Sequence, residues 1–239
     1  MISAIRLLRS RKVRVGILAW SALLLAAITP QVACAQYLHP KITKNEVMVR
    51  KVVILPAKVD VVRDSMKGPE GMAAESEELS GRVEKAVADV LANSKHITTL
   101  SAPAPLSGAG DAQGRYTVAD MQTRFDELLP KVMKKRKDVK QGRFSIGDEV
   151  LNLNLDKSAD AIVFIRGRGQ KLTSGKQTFV LLVGGKPAYL MMQIGIVDAH
   201  TGEVLLYTDP VFLGDPTTAV NRLRQALENG FKKLPAVNQ

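Results

Sequence analysis

The residue types that could do chemistry in this chain are few and scattered. Cys34 is the only cysteine, and the three histidines, His39, His96 and His200, stand far apart. A metal site needs several clustered N, O or S ligands at short spacing, so these histidines read as structural or surface residues, and no metal is assigned. Gly169 to Lys176 has a faint likeness to a phosphate-binding loop. Five residues separate its glycines where four are required, however, and Gln177 stands where Ser or Thr should hold magnesium. A hairpin tip is the reading adopted. Neither a Gly-x-Ser-x-Gly elbow nor a Ser-x-x-Lys pair occurs, so no catalytic residue is assigned. Asp60 and Asp64 would share a face in a helix, whereas their context reads as strand and then loop, which makes them solvated charges. No motif calls for a cofactor.

Two local chemistries remain, and the first is processing. Arg6, Arg9, Arg11, Lys12 and Arg14 form a basic stretch without an acid, and Val15 to Ile28 is an apolar core of signal-peptide length, short for a bilayer span. Pro30 breaks the helix, and Ala33 and Ala35 put small residues where a signal peptidase reads, so cleavage is expected before Gln36. Lipidation of Cys34 is the alternative, although the usual Leu three residues earlier is here Gln31. The second chemistry is electrostatic: Lys131, Lys134, Lys135, Arg136, Lys137 and Lys140 form a cationic run that could hold anionic lipid or cell-wall polymer. Its plainer reading is a solvated helix end. Aromatic residues do not interleave with the run, which argues against nucleic acid.

The formal charge of +11 falls to +6 once the five cations of the leader are set aside, so much of the basicity is a targeting signal. About two hundred residues remain, enough for one domain with its own core. A chain starting at Gln36 has no thiol and no disulfide, so packing must stabilise it.

The elements expected to position these residues follow from periodicity. Gln36 to Glu46 reads as an extended arm, with His39-Pro40 discouraging helix. Val47 to Val62 reads as strand, its run Val52 to Leu55 apolar enough to be covered on both faces, with Pro56 at its end and a loop over Asp64 to Ala74. Ser76 to Ser94 places Leu79, Val83, Val87, Val90 and Leu91 on one helical face. Ile97 to Leu100 is a short strand, and Ala102 to Gly114 is loop. A second helix opens at Thr117, shows an apolar face of Met121, Phe125, Leu128, Leu129 and Val132, and is kinked or divided at Pro130. Val150 to Leu155 fits strand or helix equally. Ala161–Ile165, Thr178–Val183, Ala188–Val197 and Val204–Thr208 then read as a meander of antiparallel strands, and Thr217–Leu234 as a closing helix. Within the meander, the hairpin from Lys171 to Met192 is apolar enough to be a buried central pair, with a membrane or subunit interface as the alternative.

Leu55-Pro56 after an apolar run, Ala159-Asp160 before another, and Asp198-Ala199-His200-Thr201-Gly202-Glu203 between two late strands form an ordered set. In that order the chain resembles the bacterial envelope domains typified by the curli-secretion channel CsgG, the N-terminal domain of TolB and the penicillin-binding-protein activator LpoB. The resemblance covers roughly Val47 to Leu234. The channel members are lipoproteins with two membrane-inserting hairpins, and this chain shows one extended hairpin candidate at most.

The expectation is therefore an α/β (α+β) protein with one domain over 47–234, its mixed or largely antiparallel sheet covered by amphipathic helices. It follows a signal peptide over 1–35 and an arm over 36–46, and precedes a tail over 235–239. The resemblance implies a periplasmic or extracellular, non-enzymatic interaction or scaffold protein whose partner is another envelope protein or a cell-wall component. The alternatives are an oligomeric secretion-channel component, with membrane contact through lipidation or the 171–192 hairpin, and an enzyme with a site assembled from distant positions.

Overall fold

The computed structural model describes residues 36–102, 118–134, 136–147 and 156–237. In chain order their elements are β1 (Gln36–Leu38), α1 (Pro40–Thr43), β2 (Lys51–Ile54), β3 (Lys58–Ser65), β4 (Gly68–Gly71), α2 (Ala73–Lys95), β5 (Thr98–Leu100), α3 (Val118–Lys134) and α4 (Arg136–Lys140). Then follow β6 (Ala161–Leu172), α5 (Ser174–Val183), β7 (Tyr189–Asp198), β8 (Val204–Thr208), β9 (Val211–Leu213) and α6 (Val220–Gly230).

The long strands β6 and β7 pair antiparallel from Ala161 opposite Asp198 to Gln170 opposite Tyr189, and they organise the rest. On one side β6 takes β2 along its first half and β3 along its second, both parallel. Leu55-Pro56-Ala57 makes the step between these two strands, because proline cannot donate to a ladder. On the other side β7 takes β8 along its second half and β9 along its first, with Asp209-Pro210 at the step. β5 lies parallel on β2, β4 antiparallel on β3, and β1 antiparallel on β8. The protein is thus a mixed α/β structure in which helices pack on an open mixed sheet.

Strand alternation divides the core into two layers. Val52, Ile54, Ala161, Val163 and Ile165 meet Leu79, Val83, Val87 and Leu91 of α2 and Leu223 and Leu227 of α6. Val53, Leu55, Ile162 and Phe164 face the other way, onto Phe125 and Leu129 of α3 and Val139 of α4. β2 is covered on both faces, as its apolar run requires. The five apolar positions expected on the face of α2 are all buried. Phe125 stacks on Phe164 with ring centroids 4.9 Å apart, and Gly195 makes room for it: a Cβ there would lie 2.4 Å from the Phe125 ring. The free edge of β3 is closed by α2, whose Ser80 and Ser76 hydroxyls accept the N–H groups of Val59 and Val61 at 3.0 and 2.9 Å.

The structure corrects several expectations. Thr178–Val183 is not a strand: Ser174–Val183 forms helix α5, so the 171–192 segment is not a continuous hairpin. β6 already has β3 on one edge and β7 on the other, leaving this β-prone segment no edge to join, and it satisfies its backbone internally instead. No residue of α5 is buried, which overturns the first half of the expected buried pair, while Leu190 and Met192 of its second half are buried in β7. The 36–46 arm contains β1 and a helical turn, in which His39 is the N-cap and Pro40 occupies the first position, where its missing N–H costs nothing. Asp64–Ala74 is no simple loop, since β3 continues to Ser65 and turns back through β4. Helix α3 runs through Pro130 to Lys134. Thr117 and Val150–Leu155 lie outside the described residues.

Candidate functional site

Helices α2 and α6 cover one layer along much of the sheet, but α3 reaches only part of the other. Past Phe164 the outward positions of β6 become Arg166 and Arg168. Register sets Lys58 of β3 and Gln193 of β7 beside Arg166, and Asp60 and Met191 beside Arg168. These two rows, with Gly167 between them and Asp126 and Leu129 of α3 at the border, line a cleft of about 280 Å³.

Arg166 is the fixed part of the cleft. Its side chain is only 10% exposed, and its Nε donates to Asp126 Oδ1 at 2.6 Å. Its other nitrogens donate to the carbonyls of Ile165 at 3.0 Å and Gln122 at 3.2 Å. A buried guanidinium held by a carboxylate and two carbonyls is satisfied and immobile. Lys58, Asp60 and Arg168 are exposed and form no ion pair within 4 Å with a described residue. They are the free part. Together they offer two cations, one carboxylate and an apolar floor of Leu129 and Met191, an arrangement able to grip a polar or anionic chain. Among the described residues, no Ser, Cys, His or Tyr lines the cleft.

Asp60 and Asp64 do share a face, because strand positions two or four apart point the same way. This corrects the expectation that only a helix would align them. Asp64 is not merely solvated, since it accepts from Gln170 at 3.3 Å and lies 3.7 Å from the Lys176 ammonium.

The other sequence-assigned residues do not join the cleft. Ala33, Cys34 and Ala35 lie outside the described residues, while Gln36 opens β1, accepts the Lys233 N–H at 2.9 Å and donates to the Asn229 carbonyl. In the cationic run, Lys131 and Lys134 are exposed on α3, and Lys140 is exposed with its Nζ 5.8 Å from the Tyr37 ring centroid. Lys135 lies outside the described residues, as do the side chains of Arg136 and Lys137. His39 is buried, its Nδ1 accepting the Lys41 N–H at 3.1 Å. Among the described residues no cluster of three or more His, Cys, Asp or Glu could hold a metal ion. The cations Lys58, Arg166 and Arg168 escaped the sequence reading, although Lys58-Val59-Asp60 and Arg166-Gly167-Arg168 carry charges at the two-residue spacing of a strand face.

Fold and cleft together define a mixed α/β structure whose described residues leave one end of one sheet face uncovered. No family model matches the chain, and no curated protein matches it. Among solved structures it is similar to the PelC dodecamer from Paraburkholderia phytofirmans, with a TM-score of 0.38 and 9% identity over 86% of this chain and 99% of that one. It is also similar to lipoprotein GNA1162 from Neisseria meningitidis, with a TM-score of 0.31 and 8% identity over 77% of this chain and 96% of that one. The LpoB C-terminal domain from Salmonella enterica aligns with a TM-score of 0.26 and 13% identity over 73% of this chain and 94% of that one.

Proposed function

We propose that the chain is an exported, non-enzymatic interaction protein of the bacterial envelope that grips its partner with the open sheet face around Lys58, Asp60 and Arg168. One observation carries this reading: Lys58, Asp60 and Arg168, none of them in an ion pair with a described residue, line one cleft beside a buried Arg166 held by Asp126 and two carbonyls. Such an arrangement suits gripping a partner. The leader supplies the route out of the cytoplasm.

A photo-crosslinking residue at Met191, which lines the cleft without being one of its charges, in cells carrying the full precursor, tests the proposal. Adducts to an envelope protein or to cell-wall polymer, together with an N-terminus at Gln36 or an acylated Cys34 by mass spectrometry, are the expected result. Intact precursor in the cell interior would overturn it. So would adducts only to further copies of the chain together with a ring-sized mass by light scattering, which would favour a secretion component.

A further inference from the structure

The far end of the sheet carries an apolar surface of a different kind. Leu181 and Leu182 of α5 are 79% and 80% exposed, Val183 is 62% exposed, and Met66 in the turn between β3 and β4 is 65% exposed. The contact between Lys176 of α5 and Asp64 of β3 puts the helix and that turn at the same end of the molecule. Four large apolar side chains left exposed at one end of the molecule are the kind of surface that docks onto something.

Charge and chain direction together choose the occupant. No Asp or Glu occurs between Ala161 and Val197, while Arg166, Arg168, Lys171, Lys176 and Lys186 all do. Lys176 and Lys171 are partly compensated by Asp64 and Asp215, at 3.7 and 3.6 Å. Lys67, beside Met66, and Lys186, just after α5, are exposed cations without an ion pair to a described residue, and Glu70 is an exposed acid on β4. A second copy docked through this end would set Lys67 and Lys186 against cations of its own kind, which is unfavourable. An anionic lipid surface would attract them.

The strand directions agree. β8 runs toward the α5 end and finishes at Thr208, and β1 begins at Gln36 directly opposite it. Gln36 is level with Ile194, five residues of β7, or about 17 Å, from Tyr189 at that end. The start of β1 therefore points toward the α5 end.

We infer that α5 and the turn between β3 and β4 form a membrane-docking tip, which lays Leu181, Leu182, Val183 and Met66 into the interface of an anionic bilayer with Lys67 and Lys186 at headgroup level. The inference is independent of the cleft.

The only tryptophan of the chain is Trp20 in the leader, so Leu182→Trp makes a single reporter in the processed protein. The Cys34→Ser form, processed and purified from cells, removes any acyl contribution. With vesicles containing phosphatidylglycerol, its emission should shift to the blue and the protein should float with the vesicles. Leu181→Gln with Leu182→Gln in the otherwise unaltered Cys34→Ser protein should abolish flotation with an unchanged melting curve, since both side chains are exposed. Lys67→Gln and Lys186→Gln should each weaken binding about five-fold at low salt. Absence of flotation, equal binding to purely phosphatidylcholine vesicles, or a blue shift produced without lipid by self-association would each overturn the inference.

Discussion

Asp160 holds the Lys51 backbone twice, once through its carboxylate and once through its own N–H. Asp160 Oδ2 accepts the Lys51 N–H at 2.8 Å, and the Lys51 carbonyl accepts the Asp160 N–H at 2.9 Å. The same Oδ2 also accepts the Arg50 N–H at 2.8 Å. One carboxylate thus pins the start of β2 to the start of β6, which is the physical content of the Ala159-Asp160 pair.

Asp160→Ala should lower stability by about 1–3 kcal/mol, because two backbone donors lose an ionised acceptor. Asp160→Asn, which keeps an oxygen in place, should recover a large part of that loss. Urea titrations of the two variants check this; equal losses would show that the carboxylate position does not matter.

Gly202 has φ of +69°, and a Cβ there would lie 2.2 Å from the Gly147 carbonyl oxygen. The neighbouring Asp198 Oδ1 accepts the N–H groups of both His200 and Thr201 at 2.8 Å, so the turn has no freedom to swing away. Gly202→Ala should cost about 1–3 kcal/mol, seen as a drop in melting temperature, with the buried core otherwise unaltered.

The cleft separates folding from binding. Asp126→Ala leaves the buried Arg166 without its carboxylate and should destabilise by about 1–3 kcal/mol. Lys58→Ala and Arg168→Ala remove exposed charges and should leave stability within about 0.5 kcal/mol while lowering crosslinking to the partner. Loss of stability without loss of crosslinking in these two would place the binding surface elsewhere.

Asp215 provides a pH-dependent contribution. Partial burial pushes its carboxyl upward, but hydrogen bonds from the Thr217 hydroxyl and N–H, at 2.7 and 2.9 Å, and the nearby Lys171 ammonium outweigh that and hold it below the ordinary value. A pKa depressed by folding contributes stability above the ordinary carboxylate range, and that contribution is lost as pH falls through the folded value. Asp215→Asn should therefore be less stable than the parent at pH 7, with the gap closing below about pH 4. Denaturation at both pH values reads it; a gap that persists in acid would assign the effect to shape rather than charge.

Much of the architecture is local information. The spacing of Leu79, Val83, Val87 and Leu91, the unbroken Val52–Leu55 run and the Asp198–Gly202 turn each state their structure within a few residues, because periodicity and turn chemistry act at short range. Thr178–Val183 shows the limit of that rule. Its side chains favour a strand, yet a strand needs a free edge, and whether β6 has one depends on β3, which lies more than a hundred residues away in the chain. The cleft has the same origin, since Lys58, Asp126 and Arg166 become neighbours only when parallel pairing and helix packing bring three distant segments together. Composition and pattern thus determined the amphipathic face of α2, the doubly covered strand β2 and the Asp198–Gly202 turn. Tertiary pairing alone decided which charges would meet and which apolar helix would be left facing outward, because edges and open faces are properties of the assembled sheet.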